Sequence, residues 1–285
     1  MKLEIMTVYK NLDGYILEME KDHANYEVLW DKYAIQPYWE KISQWAPCDM
    51  SDRKPKAIKD IGKLKQQIKL MQKMNLDIIK SEFTKIVSEL PNYDDDTIVI
   101  AIYPLDDENI TVKEQQNGVQ GINVFGNILI QVNPFAENYL GWIPYVFAHE
   151  YHHSVWGNYW HVIHRGCTGS LIEAMLIDGQ ADIFAKSLNP TLNPTWIYQI
   201  SKKQEKELWN NHYCKLLYET DFDYIKYMFG SGEAGIPWCA GYFFGYKIID
   251  SFRKLHPQIS VKDMLEMSSE EIFAMSNYHE IHGFN

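Results

Sequence analysis

The residues best suited to bind a metal ion and catalyse a reaction lie in the segment Phe147-Ala148-His149-Glu150-Tyr151-His152-His153. Residues four apart share one face of an α-helix, so the imidazoles of His149 and His153 can converge on one metal ion. Glu150 projects beside them and can take a proton from a bound water. An HExxH motif on a helix is typical of zinc-dependent hydrolysis. The spacing therefore predicts a Zn²⁺ site with two histidine ligands and a glutamate as general base.

The two histidines leave a third zinc ligand to be found elsewhere in the chain. His161 is the first candidate, because one branch of the HExxH hydrolases carries HExxHxxGxxH. In this chain Gly157 lies one residue too late for the glycine of that pattern, and His161 lies two residues too late for the histidine. We therefore expect the ligand to come from another segment, although His161 stays open as an alternative.

A better candidate lies in the next helical segment, where Asp178 is followed by Gly179. The glycine would let this helix approach the metal helix closely while the carboxylate reaches the ion. Glu173, about one and a half turns earlier, is the reserve ligand. Asp182 could orient a ligand histidine through a hydrogen bond. The residues alone thus leave Asp178, Glu173 and His161 open as the third ligand.

A second group of potentially catalytic residues lies nearer the C-terminus, where Tyr242 follows Gly241 and Tyr246 follows Gly245. The tyrosines are four residues apart and share a helix face, and the glycines form a flat stripe that another backbone can approach. A tyrosine hydroxyl there could stabilise the oxyanion of a tetrahedral intermediate. The alternative is that both tyrosines are core residues of a closely packed helix.

The apolar spacing of the first 95 residues is mainly helical. Helices are predicted over 15–29 and 58–90, separated by a stretch with proline and cysteine at 46–55. The pattern of residue types changes after Pro91, because Thr97–Tyr103 is a β-branched run typical of a buried strand. The chain therefore turns from helices to a sheet at this point.

A β-hairpin is predicted next, with strands Gly121–Phe125 and Ile128–Val132 joined by a two-residue turn at Gly126-Asn127. The HExxH motif then lies in a helix over Trp142–Trp156, with Pro144 in its first turn, where no backbone donor is required. Further helices are predicted over 170–187, 195–218 and 242–255. The sequence predicts an α+β fold in which a small mixed or antiparallel sheet packs on the metal helix, with a mostly helical C-terminal half.

The composition is that of an ordinary globular protein. The chain has 285 residues, of which 46% are hydrophobic and 23% charged, enough for one large domain or two smaller ones. The net charge of −11 disfavours nucleic-acid binding, which depends on clustered Lys and Arg. The sequence contains neither a secretory signal nor an apolar run long enough for a membrane span, so we expect a cytoplasmic protein.

The cysteines suggest neither a disulfide framework nor a Cys-rich zinc site. The cysteines lack CxxC spacing and are interpreted as reduced thiols; they are Cys48, Cys167, Cys214 and Cys239. Three histidines near the C-terminus are interpreted as surface residues; they are His256, His279 and His282. The alternative for His279 and His282 is that they reach the active-site cleft.

The ordered motifs resemble the gluzincin metalloproteases, in which HExxH is followed one helix later by Glu-Gly-x-Ala. More closely, the chain resembles a bacterial family of predicted zinc-dependent proteases, the YjaZ-like proteins. The resemblance rests on Ala148–His153, on Asp178–Ala181 and on the ending, from Ala240–Ile249 to Glu271–Tyr278. It implies a zincin-like catalytic domain over residues 96–285, preceded by a helical region over 1–95.

The same resemblance implies the roles of individual residues. His149, His153 and Asp178 would be the zinc ligands and Glu150 the catalytic base. The chain departs from the usual pattern by offering Asp178 in place of glutamate. The missing methylene shortens the reach of the carboxylate by roughly 1.5 Å, so the helices must lie closer together or metal affinity falls.

These observations together predict a zinc-dependent peptidase that acts on a peptide or protein substrate. We expect an extended peptide to bind along an edge strand of the hairpin, either Gly121–Phe125 or Ile128–Val132. One alternative is a non-catalytic binding or regulatory protein, which the atypical Asp178 allows and the intact Glu150 disfavours. Another is an accidental HExxH in a helical interaction protein, which the ordered motifs disfavour. The sequence specifies neither cleavage specificity nor oligomeric state.

Overall fold

The structure of the protein is a computed structural model that describes residues 1–106, 111 and 115–278. The described chain is a mixed α+β protein that divides into two compact units, residues 1–155 and 156–285. None of its described helices combines the length and the apolar character needed to cross a membrane.

One mixed sheet lies in the first unit, and its strands follow the order β1-β2-β4-β3. The strands are β1 (Lys2–Thr7), β2 (Thr97–Pro104), β3 (Val119–Val124) and β4 (Asn127–Val132). β1, β2 and β4 run parallel, whereas β3 pairs antiparallel with β4 at the edge. The predicted strand and hairpin are therefore confirmed, and the sheet is mixed.

The hairpin differs from its prediction in two respects. Val124 pairs with Asn127, so the two-residue turn is Phe125-Gly126 rather than Gly126-Asn127. Both turn residues have positive φ, which matches the twist that tight hairpins require. The expectation that Ile128–Val132 could supply a sheet edge is wrong, because β4 lies between β2 and β3.

The first strand was not predicted, and the N-terminal region is therefore not wholly helical. Lys2-Leu3-Glu4-Ile5 alternates polar and apolar residues, which is a strand pattern. β1 pairs with β2 in register Leu3 to Ile98, so residues from before position 96 complete the sheet. The predicted domain boundary at 95/96 stays a prediction.

The N-terminal helices are shorter than predicted. They are α1 (Asp13–Met19), α2 (Tyr26–Trp30), α3 (Gln36–Ile42), α4 (Ile61–Met71) and α5 (Leu76–Glu89). The predicted helix over 58–90 breaks at Asn75, whose side chain accepts hydrogen bonds from the backbone N–H groups of Asp77 and Ile78. Such a cap begins a new helix instead of continuing the old one.

The two faces of the central strand β2 contribute to different parts of the core. Val99, Ala101 and Tyr103 are buried with residues of α1, α2 and α4. Alternate residues of a strand point to opposite faces, so the equally buried side chains of Ile98, Ile100 and Ile102 belong to the other face. Both faces of β2 are therefore buried.

The helix that carries HExxH is α6 (Tyr139–Gly157). Phe147 stacks on Phe83 of α5 with ring centroids 3.8 Å apart, and the Tyr151 hydroxyl donates to the Leu90 carbonyl at 2.8 Å. Pro144 lies inside the helix and not in its first turn, because α6 begins three residues earlier than predicted. It removes one intrahelical donor.

The regular secondary structure in the described residues of the second unit is helical, apart from one isolated bridge. Its helices are α7 (Leu171–Leu188), α8 (Lys202–Leu208), α9 (Ala240–Leu255), α10 (Val261–Leu265) and α11 (Ser269–Ser276). The predicted helices over 170–187 and 242–255 correspond to α7 and α9. The predicted helix over 195–218 is interrupted: a 3₁₀ turn at Thr195–Ile197 precedes α8, and a π-helical turn at Trp209–Tyr213 follows it.

Helices α7 and α9 pack through their backbones at a pair of glycines. A methyl group on Gly245 would lie 2.7 Å from the carbonyl carbon of Met175, closer still to its oxygen, and 3.3 Å from the amide nitrogen of Gly179. A methyl group on Gly179 would in turn clash with the carbonyl of Gly245. The backbone of α7 therefore packs against the flat stripe predicted at Gly245.

Gly245→Ala is expected to lower the free energy of unfolding by about 2 kcal/mol, because a backbone carbonyl cannot rotate away as a side chain would. The gain in helix propensity, about 1 kcal/mol, offsets part of that cost. Denaturant unfolding of the full chain measures the change. Gly232→Ala is the matched control, since its methyl group would have no atom within 4 Å. Unchanged stability of Gly245→Ala would contradict the close packing of α7 and α9.

Candidate metal centre

The two motif histidines point their ring nitrogens at one place. His149 and His153 are one turn apart on α6, and their Nε2 atoms are 3.0 Å apart. Two imidazoles bound to a tetrahedral zinc ion at about 2.05 Å have nitrogen atoms about 3.3 Å apart. The pair is therefore close to the spacing that a shared zinc ion requires.

A carboxylate completes a possible ligand set. Among the described residues, His149, His153 and Asp178 form a group that could hold a metal ion, with one ligand atom from each within 4.8 Å of the others. Two imidazoles and one carboxylate are a donor set that suits zinc and leaves a fourth position open. The set therefore fits the predicted ion in kind and in number.

Glu150 lies against the edge strand of the sheet. Its side chain is buried, and it occupies the space above Gly121 of β3. A methyl group on Gly121 would clash with Cγ of Glu150, and it would lie 2.5 Å from Oε1 and 2.7 Å from Cγ1 of Val146. Only a glycine at this position leaves room for the carboxylate where it stands.

Polar side chains tie the same strand to α6. The Asn123 side-chain amide donates to the backbone carbonyl of Glu150 at 3.0 Å and to Oγ of Ser154 at 2.8 Å. The Ser154 hydroxyl can donate to the Gly126 carbonyl, and the Asn123 side-chain oxygen accepts from the Gly126 N–H. The hairpin turn is thereby fixed to the helix one turn beyond the predicted base.

Asp178 is buried on α7, with Gly179 next to it. A side chain at Gly179 would clash with the backbone of α9; the close approach to the metal helix predicted for this glycine stays a prediction. Asp182 accepts a hydrogen bond from the Trp196 indole at 2.9 Å. Its predicted action on a ligand histidine stays a prediction.

The two alternative third ligands, Glu173 and His161, make contacts within the second unit. The Glu173 carboxylate accepts hydrogen bonds from the backbone N–H groups of Thr168 and Gly169, at 3.0 and 2.7 Å, and so fixes the start of α7. The exposed His161 ring has Nδ1 3.2 Å from Sγ of Cys167. Burial, and then the Glu173 carboxylate, raise the pKa of the Cys167 thiol to about 11. Neither alternative belongs to the described His149, His153 and Asp178 group.

The two tyrosines of α9 differ in their surroundings. Tyr242 packs against Phe229 with ring centroids 5.5 Å apart and is partly buried. Tyr246 is buried beside Tyr198, with ring centroids 6.2 Å apart. Burial raises the pKa of the Tyr246 hydroxyl, and its hydrogen bond with Tyr198 raises it further. The Tyr246 hydroxyl therefore keeps its proton to a higher pH than a free tyrosine does.

Sequence patterns did not single out Gly121, Asn123 or Ser154 as parts of the site. An isolated glycine within a strand often marks a close approach by another group, so Gly121 carried a usable signal. Asn123 and Ser154 carried none, because their contact joins segments 31 residues apart. His279 and His282 lie outside the described residues.

Comparison with known proteins places these residues in a wider context. The sequence model of a family described as "Predicted Zn-dependent protease (DUF2268)" matches residues 62–274. One curated relative is "Uncharacterized protein YjfC" of Bacillus subtilis (strain 168), which is 28% identical over 188 residues. That similarity covers 62% of this chain and 60% of the relative. No solved structure shows a significant match.

Proposed function

Because the chain belongs to the family of predicted Zn-dependent proteases, we propose that it is a zinc-dependent peptidase with Glu150 as its general base. The observation that carries the proposal is that His149, His153 and Asp178 form a group that could hold a metal ion, with Glu150 next to His149 in the chain. The zincin-like fold is part of the same proposal. A mixed sheet whose antiparallel edge strand lies along the HExxH helix supports it.

The proposed chemistry divides between the ion and the side chains. A zinc ion held by this group would polarise the substrate carbonyl and lower the pKa of a water molecule towards about 7. Glu150 takes a proton from the attacking water and delivers it to the leaving amine. Tyr246 and Tyr242 are the candidates for donating a hydrogen bond to the developing oxyanion.

The edge strand β3 is the proposed binding surface for an extended peptide. Pairing with an edge strand uses backbone hydrogen bonds and so accepts many sequences, which suits a peptidase. β3 is an edge of the described sheet, and its residue Gly121 adjoins the Glu150 carboxylate. A peptide that pairs with β3 would therefore pass close to the proposed base.

The test begins with the purified chain, its zinc content and a broad peptide library. We expect about one zinc ion per chain and cleavage of a subset of peptides, with activity lost on chelation and restored by added zinc. Zinc-loaded protein that cleaves no peptide would favour the alternative of a non-catalytic binding or regulatory protein. Protein that binds no zinc would contradict the proposed peptidase and leave only a metal-free binding or regulatory protein.

A further inference from the structure

We propose that Gly121 is a positioning residue for catalysis. Because it has no side chain, it leaves the space that the Glu150 carboxylate occupies in its catalytic position. The inference rests on the proposed function, because it assigns a task to the residue that adjoins the proposed base. It names a residue outside the HExxH motif and outside the ligand group as a determinant of turnover.

The geometry leaves no room for any side chain between β3 and Glu150. A methyl group on Gly121 would overlap Cγ of Glu150 and lie 2.5 Å from Oε1. Gly121 is not among the residues with positive φ, so its backbone does not itself demand glycine. What requires the glycine is the space that the side chains of Glu150 and Val146 fill.

The strand cannot simply move away to admit a larger residue. Gly121 pairs with Ile130 of β4. Two residues further along, Asn123 is hydrogen-bonded both to the backbone carbonyl of Glu150 and to Ser154. β3 is thus held by its pairing with β4 on one side and by the hydrogen bonds of Asn123 to α6 on the other. Together these contacts fix the distance between residue 121 and the helix.

An added methyl group would therefore have to displace both side chains that it overlaps, and that of Glu150 is more flexible than the β-branched Val146. Rotation about the χ angles of Glu150 moves the carboxylate without moving the helix backbone. His149 and His153 are not among the nearest atoms to the position of the new methyl group. Substitution at Gly121 is thus expected to disturb the base and to spare the metal ligands.

The kinetic test compares the zinc-loaded full chain with Gly121→Ala, and with Gly232→Ala as the matched control in open space. We expect Gly121→Ala to lower kcat about 10-fold or more, because a misplaced base loses most of its contribution. KM should change by no more than about twofold and zinc content should not change. The control should match the wild type. The inference would be overturned if the Gly121→Ala protein kept the wild-type kcat, or if it lost its bound zinc.

A crystal structure of Gly121→Ala supplies a measurement that does not depend on activity. We expect the Glu150 carboxylate to have left its place beside residue 121 while β3 keeps its pairing with β4. A carboxylate that stays in place while the strand moves would overturn the inference. If the wild type cleaves no peptide, the proposed function fails whatever the crystal structure shows. If the wild type cleaves and Gly121→Ala does so equally well, the function stands and the inference fails.

Discussion

Glu150→Gln is expected to keep its zinc and to lose nearly all peptidase activity, with kcat falling about 10²- to 10⁴-fold. Glutamine has the same shape as glutamate, so it fits the space above Gly121 without displacing β3. Its amide cannot accept a proton from the attacking water, and the reaction loses its base. The ligand group does not include residue 150, so metal content should stay at that of the wild type.

The measurement pairs zinc analysis with cleavage of the best library peptide by both proteins. Glu207→Gln is a suitable control, because this exposed glutamate of α8 undergoes the same chemical change far along the chain from the motif. Its kcat should equal that of the wild type. A Glu150→Gln protein with more than a tenth of the wild-type kcat would mean that another group acts as the base.

Local patterns predicted the elements that carry the chemistry, because their determinants lie close together in sequence. The spacing of His149 and His153 is a property of one helical turn, and the helix that holds them is present over Tyr139–Gly157. Likewise Ser170 accepts a hydrogen bond from the Glu173 N–H and begins α7 one residue after its predicted start. Such signals act within about four residues and can be recognised in a single sequence.

Long-range packing determines what local patterns missed. β1 exists because its backbone pairs with β2, which lies about 95 residues later in the chain. The contact partner of Gly179 is Gly245 of α9, a choice that helix spacing alone cannot make. Two neighbouring glycines on different helices indicate close packing, but only the assembled unit shows which helices meet.

The same distinction applies within the candidate site. The sequence left three possible third ligands, and the structure assigns different surroundings to each of them. The Glu173 carboxylate accepts a hydrogen bond from the backbone N–H of Thr168 in the loop before α7, and the His161 ring contacts Cys167. Asp178 joins the two motif histidines in one group. Resemblance to known metalloproteases favoured Asp178 from the outset, although those proteins usually carry glutamate at this position.

Asp178→Ala is expected to raise the zinc dissociation constant at least about 100-fold. Loss of a group that only orients a ligand costs about 10- to 100-fold in affinity, so loss of a ligand should cost no less. Glu173→Ala and His161→Ala are the matched comparisons, and both should leave the constant within about threefold of the wild type. Competition with a chromophoric chelator measures all three on the full chain.

Each comparison variant separates metal binding from folding. Glu173→Ala should lower the free energy of unfolding by about 1–3 kcal/mol, because its carboxylate accepts two backbone hydrogen bonds at the start of α7. Asp178→Glu keeps a carboxylate and should bind zinc more tightly than Asp178→Ala. If Glu173→Ala loses zinc while Asp178→Ala retains it, the ligand set of two histidines and Asp178 is wrong. Asp178 would then not be a metal ligand, and its side chain, shorter than that of glutamate, would have no consequence for metal binding.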